Sequence, residues 1–242
     1  MKNFMWICKH YFKRNILDIS NLLSIALPIL FALAYYLILN FQMTDDNAYE
    51  RMATRNSLVI LTVVVFQFFG VGCTVGFCHK DLKGATKARL LVSGIGRRAF
   101  LMAIVVSGLL YNIIQGVILV AFTSLVLDID WGNYAIALFA IGMTALFSSI
   151  CGIIIFSYTK GEKEGSRMSY FFGEIMCGLA LVPIFLNVGM LTNVMHYLPV
   201  KLGVNMINAG TTQDMLLYAA IFVGQLIVVA AVAFFIGRET DK

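Results

Sequence analysis

The chain has 242 residues, of which 60% are hydrophobic and 13% are charged, and its mean hydropathy is +0.85. A soluble domain carries roughly 25% charged residues, so this composition excludes an ordinary soluble enzyme or binding protein. The apolar residues form long runs instead of the ~10-residue alternating segments of a β-barrel. The sequence therefore predicts an all-α, polytopic membrane protein with a single transmembrane domain over residues 1–242.

The first predicted element is an amphipathic helix over residues 3–19. Its apolar residues recur at near-helical spacing: Phe4, Ile7, Tyr11, Ile16 and Ile19. Its basic residues lie on the other side: Lys2, Lys9, Lys13 and Arg14. This division is typical of a helix that lies on an anionic membrane surface.

Six apolar runs that follow are long enough to cross a bilayer as helices. They cover about 21–41, 57–78, 99–127, 133–158, 172–193 and 214–237. Pro28 lies inside the first span and Pro183 inside the fifth. Because each proline removes a backbone donor, a kink is favoured at both places.

Basic residues are distributed unevenly between the two sides of the predicted membrane domain. Only three of the 18 basic residues, Arg51, Arg55 and Lys201, fall in the segments that follow the first, third and fifth spans. The others lie in the N-terminal segment, the loops 79–98 and 159–171, and the C-terminal tail. Since lysine and arginine concentrate in cytoplasmic loops, both termini are predicted to be cytoplasmic. The same distribution accounts for the net charge of +5 without a nucleic-acid partner.

The loop 79–98, HKDLKGATKARLLVSGIGRR, is the longest polar interval between two apolar spans. It is predicted to contain a short helix from Lys83 to Ser93. Gly94 and Gly96 end this helix, because glycine tolerates the left-handed conformation of a helix C-cap. The loop is too polar to enter a bilayer, yet its helix is apolar on one side. This combination favours docking to a cytoplasmic partner.

The segment 194–213 is half apolar and fits neither a membrane span nor a plain surface loop. Two interpretations remain open. One is a re-entrant or interfacial helix pair that is broken at Pro199 and Gly203. The other is a loop that rests on the outer leaflet.

Glu174 is the one acidic residue inside a predicted span. Carboxylates inside a membrane are often functional. Two structural explanations are also available: a snorkelling partner such as Arg167, or a position near the N-terminus of the fifth span, where a helix favours negative charge.

Small residues at four-residue spacing predict close helix packing at two places, Gly72 with Gly76 and Ser148 with Gly152. The sequence has three histidines and contains no HExxH, GxSxG or GxxxxGK(S/T) pattern. It therefore predicts no catalytic, metal-binding or cofactor-binding residue on this chain, and no nucleotide hydrolysis.

This layout resembles the permease subunits of ABC-2 type (type V) ABC transporters. Those subunits have an N-terminal interfacial elbow helix, six spans, cytoplasmic termini and a coupling helix between spans two and three. Their loop commonly reads E-x-E-x-G-T-x-x-x-L-L-x-S/T-P-x-S-R. In this chain Asp81 and Lys83 stand at the two glutamates, Ala85 and Thr86 at Gly-Thr, Leu90 and Leu91 at the leucine pair, Ser93 and Gly94 at Ser-Pro, Gly96 at the serine and Arg97 at the arginine. The chain departs from the pattern at both acids, at the glycine and at the proline.

The resemblance covers the whole chain, whose small size is similar to permeases of bacteriocin- or lantibiotic-immunity exporters and of small drug exporters. It implies a second permease subunit, identical or related, and separate ABC ATPase subunits that bind ATP and Mg. It implies ATPase-coupling residues in the loop: Asp81, Lys83, Ala85, Thr86, Lys87, Arg89, Leu90, Leu91, Ser93, Gly94 and Arg97. It also matches the segment 194–213 to an outer gate: Tyr197, Pro199, Gly203, Val204 and Ile207.

The expected substrate is amphipathic: a peptide antibiotic, a drug or a lipid-like molecule. The expected location is the bacterial plasma membrane, as a multi-pass protein in contact with membrane lipid. Two other classes remain open. One is the substrate-capture subunit of a vitamin importer, which would dock through small-residue motifs on its spans and not through a basic loop. The other is a non-transport membrane protein, protease-like or a scaffold.

Overall fold

A computed structural model describes residues 2–42, 48–84, 96–185 and 195–239 of the chain. The helices within these ranges are α1 (Lys2–Leu17), α2 (Ile19–Gln42), α3 (Ala48–Phe66), α4 (Val71–Cys78), α5 (Arg97–Leu127), α6 (Tyr134–Tyr158), α7 (Glu162–Phe185), α8 (Pro199–Ile207) and α9 (Thr212–Glu239). A 3₁₀ turn, Gln67–Gly70, joins α3 to α4, and a π turn, His79–Lys83, continues α4. These ranges contain no strand, so the prediction of an all-α fold is confirmed.

Five of the described helical stretches are long and apolar enough to cross a membrane. They are Asn21–Leu39, Met52–Lys83, Arg97–Leu127, Tyr134–Tyr158 and Thr212–Ile236. They correspond to the predicted spans one, two, three, four and six. The predicted span 172–193 begins inside α7, but residues 186–194 lie outside the described residues. The helices thus fit a polytopic membrane protein, and the remaining span stays a prediction.

Helix α1 presents to the protein part of the face that was predicted to contact the membrane. Ile7 and Tyr11 are each only 4% exposed. They pack in one apolar cluster with Phe100 and Ile104 of α5. The exposed residues of α1 are mixed in character: Met5, Trp6, Lys9, His10, Lys13, Leu17 and, from the predicted apolar stripe, Ile16. Part of the stripe, Ile7 and Tyr11, is therefore covered by α5, whereas Ile16 is 46% exposed. The position of α1 on the membrane surface stays a prediction.

Contacts between helix ends show that consecutive long helices run in alternate directions. Near the start of α3, Arg55 donates from Nη2 to the backbone oxygen of Asp128, which follows α5, at 3.1 Å. We call this side of the bundle the far end. At the other side, Lys80 after α4 pairs with Glu162 at the start of α7, at 3.3 Å. We call that side the basic end, and it carries Arg14, Lys80, Lys83, Arg97 and Arg98.

Helix α6 is at the centre of the bundle and packs against α3, α4, α5, α7, α8 and α9. Ser148 on α6 donates from Oγ to the backbone oxygen of Phe68 in the 3₁₀ turn, at 3.1 Å. One turn further along, a Cβ added at Gly152 would lie 2.9 Å from Thr74 Cβ. The predicted close packing at Ser148 and Gly152 is confirmed, and it lies within the chain.

The second predicted small-residue pair does not mediate close packing. A Cβ at Gly72 would make only an ordinary contact, 3.9 Å from Ser169 Cβ, and one at Gly76 would meet nothing within 4 Å. Both glycines instead line a cavity on the side of α4. Packing within the chain is therefore wrong for this pair, because the space beside it is open, and contact of these glycines with a second subunit stays a prediction.

Candidate functional site

The base of the loop between spans two and three is anchored by Asp81. Asp81 is 8% exposed and accepts hydrogen bonds from the Tyr11 hydroxyl and from Arg14 Nη1, the latter at 2.8 Å. The Arg14 guanidinium also lies 4.6 Å from the centre of the Phe77 ring. Tyr11 and Asp81 are 70 positions apart in the chain. The cluster therefore fixes α1 to the end of the second span.

Tyr11 acts as a permanent donor in this cluster. Burial, and then the hydrogen bond to Asp81, raise the pKa of Tyr11 well above its usual range. The hydroxyl consequently keeps its proton at physiological pH. The arginine supplies positive charge to a carboxylate that would otherwise be costly to bury. We conclude that the arrangement works as a clamp between two helices.

A second set of contacts fixes the same helix end to α6. Lys83 Nζ donates to the backbone oxygens of Thr159 and, at 3.3 Å, of Phe156, and it lies 4.7 Å from the Phe156 ring centre. His79 Nε2 lies 2.8 Å from Thr159 Oγ1. The Thr159 hydroxyl donates to the backbone oxygen of Ile155 at 2.9 Å, so His79 is the donor to it. A lysine at carbonyl groups that end a helix also interacts favourably with the helix dipole.

The helical continuation of α4 ends at Lys83. Lys83 is the last residue of the π turn, so the prediction that it begins a short helix is wrong. Gly84 is extended, and a Cβ there would overlap the backbone oxygen of Lys80; this close approach explains the glycine. Residues 85–95 lie outside the described residues, so the short helix stays a prediction. Gly96 directly precedes α5 in an extended conformation.

Three of the predicted coupling residues lie in the described part of the chain: Asp81, Lys83 and Arg97. The first two hold the outgoing end of the loop on α1 and α6, and Arg97 is the half-buried first residue of α5. The other eight lie outside the described residues: Ala85, Thr86, Lys87, Arg89, Leu90, Leu91, Ser93 and Gly94. The end of the loop that follows the second span is thus fixed to both α1 and α6.

Replacing Asp81 with alanine is expected to destabilise the protein by about 2–3 kcal/mol, because it leaves a buried hydroxyl and a partly buried guanidinium without their acceptor. Thermal unfolding in detergent measures the change. Glu162→Gln is the matched control, since its ion pair with Lys80 is about half exposed on both sides and is worth about 0.5 kcal/mol or less. Equal losses of stability in the two variants would contradict the role of Asp81 as a clamp between α1 and the end of the second span.

At the far end, the described residues 196–211 contain one helix, α8. Pro199 is its first residue, where a missing N–H costs nothing. Gly203 lies in its middle, where a Cβ would be 3.0 Å from Thr144 Oγ1 and 3.1 Å from Val64 Cγ1. Thr144 is about 15 Å along α6 from the far end. The predicted break at Gly203 is wrong, because the helix continues through this glycine, and the interpretation as a loop is wrong, because residues 199–207 form a helix packed in the bundle. Whether this helix is re-entrant or interfacial stays a prediction.

The predicted gate residues occupy different environments on α8 and its preceding turn. Val204 is 6% exposed, whereas Tyr197 is 54% exposed and Ile207 is half-buried. The Tyr197 backbone oxygen accepts a hydrogen bond from Gln225 Nε2 of α9 at 2.7 Å. Burial lowers the pKa of Lys201, which lies on the less covered side of the same helix. The geometry places these residues on one element, and their action as a gate stays a prediction.

Glu174 lies on an exposed face of α7 with Tyr170 and Phe171. Helix α7 begins at Glu162, so Glu174 is three turns from the helix N-terminus and the explanation by the helix dipole is wrong. No ion pair to Arg167 or to another described residue forms. A carboxylate on an outward face in the middle of a long helix is costly in lipid, which favours a protein or aqueous environment on this side.

A set of uncharged polar residues inside the predicted spans forms a site that was not predicted from the sequence. A cavity of about 630 Å³ is lined by residues of α2, α3, α4, α5 and α7, among them Asn112 and Gln115 of α5. Gln115 Nε2 donates to the backbone oxygen of Ser24 at 2.8 Å, and the Tyr111 hydroxyl donates to that of Asn21 at 2.7 Å. These bonds hold the start of α2. The amides and hydroxyls within these apolar runs were the sequence signal that could have indicated such a polar site.

No family model matches the chain, and no curated protein matches it. Among the described residues, no group of three or more His, Cys, Asp or Glu side chains is arranged to hold a metal ion. The fold and the site thus define an all-helical protein with several helices that are apolar enough to cross a membrane.

Proposed function

We propose that this chain is the transmembrane permease subunit of an ATP-driven ABC exporter of the ABC-2 type. The observation that carries the proposal is the anchored base of the loop between spans two and three. Asp81 connects that base to α1, and Lys83 connects it to α6. An ATPase that pulls on the loop would therefore move α1, α4 and α6 together, which a coupling element requires.

The proposed orientation has the basic end in the cytoplasm of a bacterial cell. Tyr11 of α1 packs edge-on against Phe100 near the start of α5, with ring centres 5.4 Å apart. Arg98 at the start of α5 lies 5.2 Å from the centre of the Phe234 ring near the end of α9. Both terminal helices thus meet the basic end of the bundle. Lysine and arginine concentrate on the cytoplasmic side of membrane proteins, which supports this orientation and the proposed six-span topology.

A second permease subunit is part of the proposal, and the exposed face of α7 supports it. Tyr170 is 60% and Phe171 is 55% exposed on that face, and Glu174 lies beside them. Contact with another subunit, or with a water-filled pathway between subunits, would remove the cost of a carboxylate in lipid. Between the two subunits, an amphipathic substrate would pass outward while the ATPases bind and hydrolyse ATP with Mg.

Purification from the native membranes tests this proposal. The chain is extracted in mild detergent under conditions that preserve its monodisperse profile, and bound proteins are identified by mass spectrometry. We expect an ABC ATPase chain that carries the GxxxxGK(S/T) motif in about equal amount, and ATP hydrolysis by the complex. An intact preparation with no ATPase would contradict the proposal and favour a non-transport membrane protein. An ATPase that binds only through a further transmembrane coupling subunit would favour the importer alternative.

A further inference from the structure

The cavity beside α4 is lined by apolar side chains in one region and by polar side chains in another. A crevice that held only lipid chains would have no use for the polar lining. Towards the far end the walls of the cavity are mostly apolar, with Leu27 and Phe31 of α2, Phe66 of α3 and Leu181 of α7, beside Tyr35 and Thr62. Towards the basic end its walls carry amides, hydroxyls and a thiol. The two regions are continuous in one space of about 630 Å³. This volume is within the range of small-molecule binding sites.

Two buried side-chain amides in the polar region have hydrogen-bonding groups without a protein partner. Asn112 is 5% exposed and makes no hydrogen bond to another described residue, and a Cβ at Gly70 would lie 3.2 Å from its Nδ2. Asn15 is 1% exposed; its Oδ1 accepts from Asn21 Nδ2 at 3.1 Å, but its own Nδ2 has no hydrogen-bond partner. A buried amide without a partner costs free energy. Both side chains line the cavity, so a molecule in the cavity is placed to satisfy them.

The charges at the polar region largely cancel. Lys80 and Glu162 both line the cavity and form an ion pair with each other at 3.3 Å. Asp18, at the outermost edge of the lining, also has an interaction within the structure. The deeper polar groups, such as Asn112, Gln115 and Ser24, are uncharged. A charged headgroup would therefore find no counter-charge at the depth of the unpartnered amide.

We propose that this cavity is a binding site for an amphipathic molecule with an uncharged, hydrogen-bonding head and an apolar body. The head would exchange hydrogen bonds with the amides of Asn112 and Asn15, and the body would lie among Leu27, Phe31 and Leu181. The inference rests on the proposed function and deepens it, because it assigns a chemical class to the exported substrate.

Photolabelling of the full-length chain tests the site. The protein is placed in phosphatidylcholine nanodiscs with a dodecyl glycerol ether that carries a diazirine in its alkyl chain. Dodecyltrimethylammonium and dodecyl phosphate serve as charged competitors. We expect saturable labelling at cavity-lining residues, competition by unlabelled dodecyl glycerol ether, and much weaker competition by either charged amphipath. Labels spread over all outward-facing helices without saturation would overturn the proposal, as would stronger competition by a charged head.

Two matched pairs of variants separate the parts of the site. Gly76 lines the cavity and a Cβ there would meet nothing within 4 Å, so Gly76→Leu adds bulk to the cavity. A Cβ at Gly224 on α9 would also meet nothing within 4 Å, so Gly224→Leu adds the same bulk outside it. We expect labelling to fall about tenfold only in the first. Asn112→Leu should weaken competition by the glycerol ether about fivefold to tenfold, and Asn205→Leu on α8 should not. Unchanged labelling in Gly76→Leu or unchanged competition in Asn112→Leu would overturn the assignment.

The assay contains neither ATPase nor nucleotide, so its outcome is independent of the proposed function. Loss of the site with retained ATPase binding would remove only the substrate assignment. Saturable labelling of a chain that never binds an ATPase would leave a binding site on a protein of another class.

Discussion

Replacing Gly152 with leucine is expected to destabilise the membrane domain more than any other single change considered for its core. A Cβ at this position would lie 2.9 Å from Thr74 Cβ and 3.2 Å from the backbone oxygen of Val71. Neither atom is the free end of a flexible side chain, so α4 and α6 must separate. Overpacking of this kind costs about 3 kcal/mol, and the loss extends along α6 because this helix contacts most of the bundle.

Gly142→Leu is the matched control on the same helix. A Cβ at Gly142 makes only an ordinary contact, 3.9 Å from Ile113 Cγ1. The two variants are compared by thermal unfolding in detergent, with the size-exclusion profile as the readout. We expect Gly152→Leu to melt roughly 10 °C below the parent protein, and Gly142→Leu to stay within a few degrees of it. Equal melting temperatures of the two variants would contradict the packing of α4 on α6.

The double substitution Leu90→Asp and Leu91→Asp is expected to abolish ATPase binding while the chain still inserts into the membrane. Both residues lie outside the described residues, and the prediction rests on their match to the leucine pair of the family loop. Burial of a leucine at an interface centre contributes about 1–3 kcal/mol. Two carboxylates in the same place add the cost of desolvating charge. Together these losses exceed what an interface of modest size tolerates.

Single Lys87→Ala is the control for this prediction, since a charge at an interface rim contributes little. Co-purification of the ATPase with each variant and ATP hydrolysis by the complex measure the effect. If the loop cations only bind anionic lipid, the double variant would retain the ATPase and its activity. That result would remove the coupling role from the loop.

The sequence was sufficient to predict the helical membrane class and the positions of the long helices. Span length and hydropathy depend only on local composition, and the predicted ranges 99–127 and 133–158 agree with α5 and α6 to within two residues. The extra five residues after Cys78 were missed because the π turn is held by long-range contacts. Asp81 is held by Tyr11, and Lys83 by Thr159, at 70 and 76 positions along the chain. No local pattern reveals such partners.

The faces of the helices were harder to predict than their positions. The apolar stripe of α1 was assigned to the membrane, yet Ile7 and Tyr11 are buried against α5. Lipid and protein interiors are both apolar, so hydrophobicity alone does not tell which of them a helix face contacts. Gly203 shows the same difficulty, because a glycine in a sequence can mark the end of a helix or a place where two helices pack closely. The amides Asn112 and Gln115 were visible in the sequence, but their common cavity depends on the packing of α2 against α5.

A site-specific cross-link tests whether the loop between spans two and three contacts an ATPase. A photo-crosslinking amino acid is placed at position 87, and the complex is irradiated in native membranes before purification. We expect an adduct that contains a peptide of an ABC ATPase, and loss of this adduct when Leu90→Asp and Leu91→Asp are also present. Adducts with lipid alone, from a chain that is correctly inserted, would contradict the claim that this loop couples an ATPase to the membrane helices.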